Sequence, residues 1–339
     1  MRTADFNFDL PPELIAQQPA EPRDSARLMV LRRDQQSIEH RRFADLPTLL
    51  RRGDLLVVND TRVMAARLFG MRPETGGRVE ALLVRPFTDT RWEVLFRPSR
   101  QAMAGRSFVF ESNDGPLGAT VLGREDGVVI LDFERAFDPA VVGSVPLPPY
   151  IKHYDGDPER YQTVYARDPR SAAAPTAGLH FTPGLLAQLA AAGIERAVVT
   201  LEVGPGTFKP VTVDDPRDHP LHEEQVSVPE ATAEAIARTK RAGGRVVAVG
   251  TTVVRTLEHV ARECGEIRPY AGGTRLKILP GDPFLVTDVI VTNFHLPQST
   301  LLMLISAFAG TEFVMGAYRE AVRERYRFYS FGDAMLILP

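Results

Sequence analysis

Five short runs of β-branched and aromatic residues follow one another between residues 78 and 133, and no helical period interrupts them. Turn residues such as Asn113–Gly115 and Asp126–Gly127 separate these runs, and a turn-rich stretch, Gly70–Gly77, precedes them. Short strands at this spacing predict a small antiparallel β-barrel or sandwich. The five runs are Arg78–Arg85, Trp92–Phe96, Ser107–Glu111, Gly118–Leu122 and Val128–Phe133.

The flanking sequence has a different pattern, in which helices and strands alternate. Such alternation predicts an α/β domain, to which we also assign the apolar strand Asp54–Asn59. We therefore predict an α/β main domain with a mixed, barrel-like sheet, formed by residues 1–66 and 146–339. The small antiparallel β-barrel, residues 67–145, is an insertion in it. The alternating elements are Leu185–Ala192, Arg196–Val203, Pro229–Gly243, Arg245–Gly250, Thr251–Cys264 and Ile290–Phe294.

Composition excludes several classes of protein. The single cysteine, Cys264, rules out a disulfide framework and a CxxC metal site, and it is typical of a reducing compartment. The formal charge of −3 argues against a generally basic nucleic-acid binder. The opening Met1–Phe6 lacks a long apolar segment, and polar residues interrupt the apolar stretch Leu296–Ala309. We expect a soluble, cytoplasmic protein with no membrane partner.

Candidate site residues cluster where predicted strands end, which is where α/β proteins place their ligands. Each cluster also has a structural interpretation: an Asx turn for residues 59–62, a satisfied core histidine for His180 and a helix cap for Ser299. The glycine pair Gly204 and Gly206 lacks the Walker A pattern. The candidates are Asn59, Asp60, Thr61, Arg62, Pro175, Thr176, Ala177, Gly178, His180, Glu202, Gly204, Gly206, Thr207, Phe208, Gly250, Thr251, Thr252, Arg255, Asn293, Phe294, His295 and Ser299.

Two further segments have ambiguous patterns. His219 and His222 have an HxxH spacing, but Pro220 keeps them off one helix face, so we predict a polar loop and no metal site. His222 and Glu224 remain candidate substrate ligands. Near the C-terminus, basic and aromatic residues alternate, which indicates either a nucleic-acid contact or simple core packing. The candidate nucleic-acid contacts are Arg323, Arg325, Tyr326 and Arg327.

Taken together, eight segments in one order resemble the S-adenosylmethionine:tRNA ribosyltransferase-isomerase family of queuosine biosynthesis. Each segment is weak by itself, whereas the ordered set covers essentially the whole chain. Three positions depart from the usual family pattern: Arg170, Glu202 and the pair Gln225–Val226. The segments are Asp5–Pro11, Gly53–Val63, Pro146–Ile151, Tyr161–Tyr165, Ala173–Phe181, Ala248–Thr252, Val291–Pro297 and Gly332–Met335.

The resemblance implies a reaction. The ribosyl portion of S-adenosylmethionine would be transferred to 7-aminomethyl-7-deazaguanine at the tRNA wobble position, giving epoxyqueuosine-tRNA, adenine and methionine. S-adenosylmethionine would be consumed as a substrate, with no other cofactor, and we expect a monomer. Two alternatives remain open: an S-adenosylmethionine-dependent tRNA methyltransferase and a non-catalytic RNA-binding module.

The implied chemistry needs a base that removes the C5′ hydrogen beside the sulfonium, and His180, His295 and Glu202 are the candidates. His180 is preferred, because the small residues before it let a ligand come close, and an imidazole titrates near neutral pH. Gly250, Thr251 and Thr252 are expected to hold the methionine carboxylate, and the segment from Asn59 to Arg62 to orient ribose or tRNA.

Overall fold

The computed structural model describes residues 1–112, 114–125, 128–204 and 211–339. Within these ranges, the strands are β1 (Arg27–Arg32), β2 (Ser37–Arg42), β3 (Leu55–Asn59), β4 (Arg62–Val63), β5 (Arg67–Met71), β6 (Arg78–Pro86), β7 (Arg91–Arg97), β8 (Ser107–Phe110), β9 (Leu117–Glu125), β10 (Val128–Phe133), β11 (Pro169–Ser171), β12 (Glu195–Leu201), β13 (Glu224–Val228), β14 (Val246–Val249), β15 (Tyr270–Thr274), β16 (Val289–Asn293) and β17 (Ala334–Leu338).

Helices connect many of these strands. The 3₁₀ turns are Thr3–Phe6, Pro12–Leu14, Arg23–Ser25, Phe43–Asp45, Ser99–Gln101, Pro158–Tyr161, Thr176–His180 and Pro216–Asp218. The α-helices are α1 (Leu46–Leu49), α2 (Pro139–Val142), α3 (Pro183–Ala191), α4 (Glu230–Arg241), α5 (Thr251–Cys264), α6 (Thr300–Ala309) and α7 (Thr311–Arg323).

The chain divides into two compact units. The first contains Met1–Arg62, Pro149–Asp168 and Ala174–Pro339, and the second contains Val63–Pro148 and Pro169–Ala173. The short segment Pro169–Ala173, which the sequence interpretation assigned to the main domain, belongs to the second unit.

The second unit is a closed antiparallel barrel of six strands in the order β10-β7-β6-β5-β8-β9. Its strands bury every second residue, as in β7, where Trp92, Val94 and Phe96 are buried and the residues between them are less so. This period of two directs one face of each strand into the barrel, where the apolar side chains leave water. The predicted small β-barrel is confirmed.

The sixth barrel strand, β5, contradicts the interpretation of Gly70–Gly77 as turn throughout. Gly70 lies inside β5, paired with Phe110 of β8. A Cβ at this position would lie 2.5 Å from the carbonyl oxygen of Val109, so the close approach of the neighbouring backbone requires glycine. This glycine is required by the close packing of β5 against β8, and it does not mark a turn.

The first unit contains a nine-stranded mixed sheet in the order β15-β13-β12-β3-β14-β16-β17-β1-β2. Four central strands, β12, β3, β14 and β16, run parallel, and antiparallel pairs join β13 to β12 and β17 to β16. The predicted mixed α/β sheet is confirmed. The edge strands of this sheet are β15 and β2, so the large sheet is open, and the closed barrel is the one in the second unit.

Helices cover both faces of the large sheet. In β3, Leu55 and Val57 pack in one apolar cluster with α4, α5, α6 and α7. Leu56 and Val58 pack in a second cluster, which includes residues of α1 and α3. Since both faces of a parallel strand are buried, its sequence is a continuous apolar run, which is what residues 55–58 show.

The apolar stretch Leu296–Ala309 contains the helix α6, most of whose residues are buried. Ser299 caps it, because its Oγ accepts a hydrogen bond from the Leu302 N–H at 3.2 Å. No single helix among the described residues is both long and apolar enough to cross a membrane, and the pair α6 and α7 that passes by length is bent by 117°.

Candidate active site

A cavity of about 80 Å³, here called the central cavity, lies beyond the carboxyl ends of β14 and β16. These strands are parallel neighbours, and this edge of a parallel sheet is the usual position of an α/β site. The structure brings together there ten of the residues proposed from sequence: Pro175, Thr176, Ala177, Gly250, Thr251, Thr252, Asn293, Phe294, His295 and Ser299.

Gly250 turns the chain from β14 into α5 at the cavity wall. Its φ of 90° lies in a region that side chains rarely adopt, so glycine is required there. The Gly250 N–H donates to the Val291 carbonyl at 2.7 Å, which fixes the turn against β16. The first residues of α5, Thr251 and Thr252, line the cavity. The positive end of the dipole of α5, a helix of 14 residues, therefore lies at the central cavity.

His295 is the candidate base that lines the central cavity. Its Nε2 lies 2.9 Å from Thr292 Oγ1, and its backbone N–H donates to the Tyr318 hydroxyl at 2.9 Å. Burial lowers the pKa of His295 from 6.5 to about 3. The imidazole is therefore neutral at pH 7 and can accept a proton, but burial also makes it a weaker base than an ordinary histidine.

His180, the preferred candidate from sequence, is placed differently. Its Nε2 lies 3.1 Å from Asn293 Nδ2, and its ring stacks on Phe43 with centroids 4.9 Å apart. It borders a small cavity of about 10 Å³, distinct from the central cavity. Burial and, to a smaller extent, the charges of Arg327 and Arg23 lower its pKa to about 3. Because His295 lines the central cavity and His180 does not, the geometry favours His295 over His180 as the base.

Both histidines predict a loss of stability in acid. Their pKa values lie below the 6.5 of an unfolded histidine, so unfolding binds one extra proton at each when the pH is below 6.5. The free energy of unfolding should be unaffected by them above pH 6.5. Between 6.5 and 3 it should fall by about 1.4 kcal/mol per pH unit for each histidine. Urea titrations between about pH 7.5 and 5 would measure this slope.

A matched pair of variants identifies the source of that slope. His180→Gln should remove one histidine's share, whereas His153→Gln, at an exposed position, should leave the slope as it is. An unchanged slope in His180→Gln would contradict the assignment.

A second cavity of about 140 Å³, the lateral cavity, brings together Gly204, His222, Glu224 and Arg255. Arg255 Nη1 donates to Glu224 Oε2, and Glu224 Oε1 accepts the Gly204 N–H at 3.1 Å. Both members of this ion pair are more than nine-tenths buried. Leu301 lines the central and the lateral cavities alike, so the two are neighbours.

The histidines of the HxxH pattern, His219 and His222, line the lateral cavity. Among the residues that the structure describes, no group of three or more His, Cys, Asp or Glu side chains is arranged to hold a metal ion.

Comparison with known proteins identifies the family. The model of a family described as "Queuosine biosynthesis protein" matches residues 3–337. The chain is 56% identical to an S-adenosylmethionine:tRNA ribosyltransferase-isomerase of Symbiobacterium thermophilum and 51% identical to one of Thermotoga maritima, in each case over all of both chains. The chain belongs to the S-adenosylmethionine:tRNA ribosyltransferase-isomerase family.

A solved structure supports the same conclusion. The crystal structure of the S-adenosylmethionine tRNA ribosyltransferase of Thermotoga maritima covers 98% of this chain, and the match spans 100% of that chain. The two share 43% sequence identity and superpose with a TM-score of 0.59. The resemblance predicted from ordered segments is confirmed, and neither a methyltransferase nor a non-catalytic RNA-binding module is favoured.

The family segment Asn59–Arg62 is not among the described residues that line either cavity. The Asn59 carboxamide accepts the Leu201 N–H at 3.1 Å and donates to the Leu201 carbonyl at 3.0 Å, which joins β3 to β12. Thr200 Oγ1 donates to Asp60 at 2.7 Å, and Arg62 pairs with Glu159. The Asx-turn interpretation describes this segment well, since Asn59 Oδ1 also accepts the N–H of residue 61 at 3.1 Å.

Three further candidates are placed as follows. Gly178 is buried behind the cavity segment that ends at Ala177. Glu202 is partly buried, and its N–H donates to the Gln225 carbonyl at 2.9 Å. The candidates Gly206, Thr207 and Phe208 lie outside the described residues.

Three of the four C-terminal candidates for tRNA contact interact with other residues of the chain. Tyr326 is fully buried, with the Arg27 guanidinium 3.7 Å from its ring centroid, so its ring has no face open to a base. Arg327 donates to the Gln18 carbonyl at 3.2 Å. Arg325 is exposed, and Arg323 is exposed and paired with Glu320 and Glu324. Core packing therefore accounts for the aromatic residue.

Sequence reasoning missed several residues of the central cavity. Tyr150 lies in the quoted segment Pro146–Ile151, and Tyr329 and Ser330 lie in the aromatic stretch near the C-terminus. The Tyr150 hydroxyl and Ser330 Oγ are 2.6 Å apart, across 180 residues of sequence. Each segment has a recognisable sequence pattern, but nothing in their spacing along the chain indicates that the two meet.

Proposed function

We propose that this family member transfers the ribosyl portion of S-adenosylmethionine to the aminomethyl group of 7-aminomethyl-7-deazaguanine at the wobble position of tRNA. The products are epoxyqueuosine-tRNA, adenine and methionine. S-adenosylmethionine is consumed as a substrate, and no further cofactor takes part. The main supporting observation is the central cavity, where four family segments converge around a neutral imidazole.

In this proposal His295 removes the C5′ proton, because it is the candidate base that lines the cavity. The neighbouring sulfonium stabilises the carbanion, and collapse of that intermediate expels adenine. The substrate amine then forms a bond to the unsaturated sugar fragment, and closure of the epoxide releases methionine. The N-terminus of α5, where Thr251 and Thr252 line the cavity, offers positive potential for the methionine carboxylate.

A product analysis tests the proposed reaction. Incubation with S-adenosylmethionine and tRNA bearing 7-aminomethyl-7-deazaguanine should release adenine and methionine in equal amounts, matched by modified tRNA. Unmodified tRNA is the control, and it should release neither product at a comparable rate. Formation of S-adenosylhomocysteine without adenine would contradict the proposal and indicate methyl transfer.

We also propose that the protein acts in the cytoplasm as a monomer. Its substrates, a tRNA and S-adenosylmethionine, and its single cysteine are consistent with a reducing compartment. Sedimentation at the mass of one 37.5 kDa chain is the expected result, and a stable dimer would contradict it.

A further inference from the structure

The Asn293 carboxamide is held in one orientation at the wall of the central cavity. Asn293 ends β16 and is 3% exposed. Its Nδ2 lies 3.2 Å from the Tyr329 carbonyl oxygen and 3.1 Å from His180 Nε2. A backbone carbonyl can only accept hydrogen bonds, so the amide atom facing it must be the nitrogen. The carboxamide oxygen, Oδ1, is therefore turned to the other side of the group.

His180 supports that orientation as an acceptor. Since Asn293 Nδ2 can only donate, His180 Nε2 must accept, and the ring carries its single proton on Nδ1. A doubly protonated ring would set an N–H against the amide hydrogens. The stacking on Phe43 fixes the plane of the ring, and burial keeps it neutral. His180 is thus placed to orient Asn293.

The Asn293 carboxamide oxygen is an unused acceptor. It is buried, and within the part of the chain that the structure describes it has no hydrogen-bond partner. Native proteins satisfy nearly all buried polar groups, so this unpaired acceptor, on a residue that lines the cavity, requires a donor, which a water molecule or a bound ligand can supply. A donor from a bound ligand would remove the cost of the missing bond.

The chemistry of the cavity selects a neutral donor. None of the described residues that line it is Asp, Glu, Lys or Arg. Burial raises the pKa of Tyr150 well above its usual value and that of Tyr329 to about 12, so both stay uncharged, as does His295. An ammonium group placed against Asn293 would lose its hydration without gaining a counter-charge from the lining residues. A hydroxyl or a neutral amino group fits better.

We propose that the Asn293 carboxamide oxygen accepts a hydrogen bond from a neutral O–H or N–H donor in the adenosyl half of S-adenosylmethionine, and that His180 is the positioning residue that orients it. The identity of the ligand rests on the proposed function. Its adenosyl half offers the two ribose hydroxyls and the adenine amino group as neutral donors. A site of this kind discriminates strongly, because an analogue lacking the donor leaves the buried acceptor unpaired.

Binding of substrate analogues tests the proposal. Dissociation constants of S-adenosylmethionine and of its 2′-deoxy, 3′-deoxy and 6-deamino analogues are measured with the full chain and unmodified tRNA, so that no turnover intervenes. In the wild-type protein, one analogue should bind about 5- to 150-fold more weakly than the parent. In Asn293→Ala, parent and analogue should bind alike. The analogue that loses its penalty identifies the donor.

Three further variants separate positioning from general damage. His180→Phe keeps a flat ring but no acceptor and should lose the discrimination, whereas His180→Gln supplies an amide oxygen and should keep most of it. Ser306→Ala removes another buried oxygen without a described partner, which does not line the cavity, and should behave as wild type.

Two results would overturn the proposal: equal binding of all analogues by the wild-type protein, or an unchanged penalty in Asn293→Ala. A merely structural role would weaken parent and analogue together and leave their ratio unchanged. Failure of the proposed function would show independently, as the absence of adenine and methionine in the product analysis.

Discussion

Replacement of His295 by alanine should slow adenine release by about 10²- to 10⁴-fold, the usual contribution of a general base. His295 lines the central cavity, and its imidazole is neutral at pH 7 because burial lowers its pKa to about 3. Without it, the C5′ proton has no acceptor of comparable basicity among the described lining residues. Single-turnover release of adenine, at saturating S-adenosylmethionine and precursor tRNA, measures the effect.

Isotope labelling strengthens that test. S-adenosylmethionine deuterated at C5′ should slow the wild-type reaction if proton removal limits the rate, and the effect should grow in a variant with a poorer base. His259→Ala serves as the control, since His259 lies on α5 outside the described lining of both cavities. A His295→Ala rate within a few-fold of wild type would remove His295 from the role.

Replacement of Arg245 by methionine should destabilise the first unit by about 3–5 kcal/mol. Arg245 donates to both carboxylate oxygens of Asp54, at 3.0 and 2.6 Å, and Asp54 is 2% exposed. The methionine would leave a buried carboxylate without its counter-charge. Urea unfolding followed by circular dichroism measures the loss.

Arg238→Met is the matched control for this variant. Arg238 pairs with Glu195 at 3.7 Å, but both side chains are largely exposed, so its loss should cost at most about 1 kcal/mol. The single tryptophan, Trp92, lies in the second unit, and its fluorescence reports that unit separately. Equal destabilisation by the two replacements would contradict this prediction, because it would show that the buried Arg245–Asp54 pair contributes no more to stability than the exposed Arg238–Glu195 pair.

The fold was predictable where local chemistry and tertiary packing agree. The alternation of apolar and polar residues in residues 92–96 indicates a strand with one buried face. The continuous apolar run in residues 55–58 indicates a strand with both faces buried, and the structure confirms both interpretations. Gly70 was wrongly interpreted as a turn residue. Glycine is required there because the Val109 carbonyl oxygen lies close to its Cα, and only the folded barrel brings these two residues together. A local pattern carries no record of such a contact.

The candidate site was predictable in its segments but not in its roles. His180 and His295 both adjoin a phenylalanine, and the sequence favours His180 only because the loop before it is rich in small residues. In the fold, His180 contacts Asn293, whereas His295 lines the central cavity. In the same way, the sequence predicts Tyr326 as a nucleic-acid contact, whereas in the structure its ring is buried and the Arg27 guanidinium lies over it.

The sequence by itself determined the fold class, the barrel and the family, because these depend on the period of apolar residues and on ordered motifs along the chain. Only the tertiary structure decided which side chains share a cavity, which histidine lines that cavity and which way the Asn293 amide faces. These depend on contacts across more than a hundred residues of sequence, such as that of Asn293 with His180. The hydrogen bonds and the burial of these side chains are set only when folding brings such distant residues together.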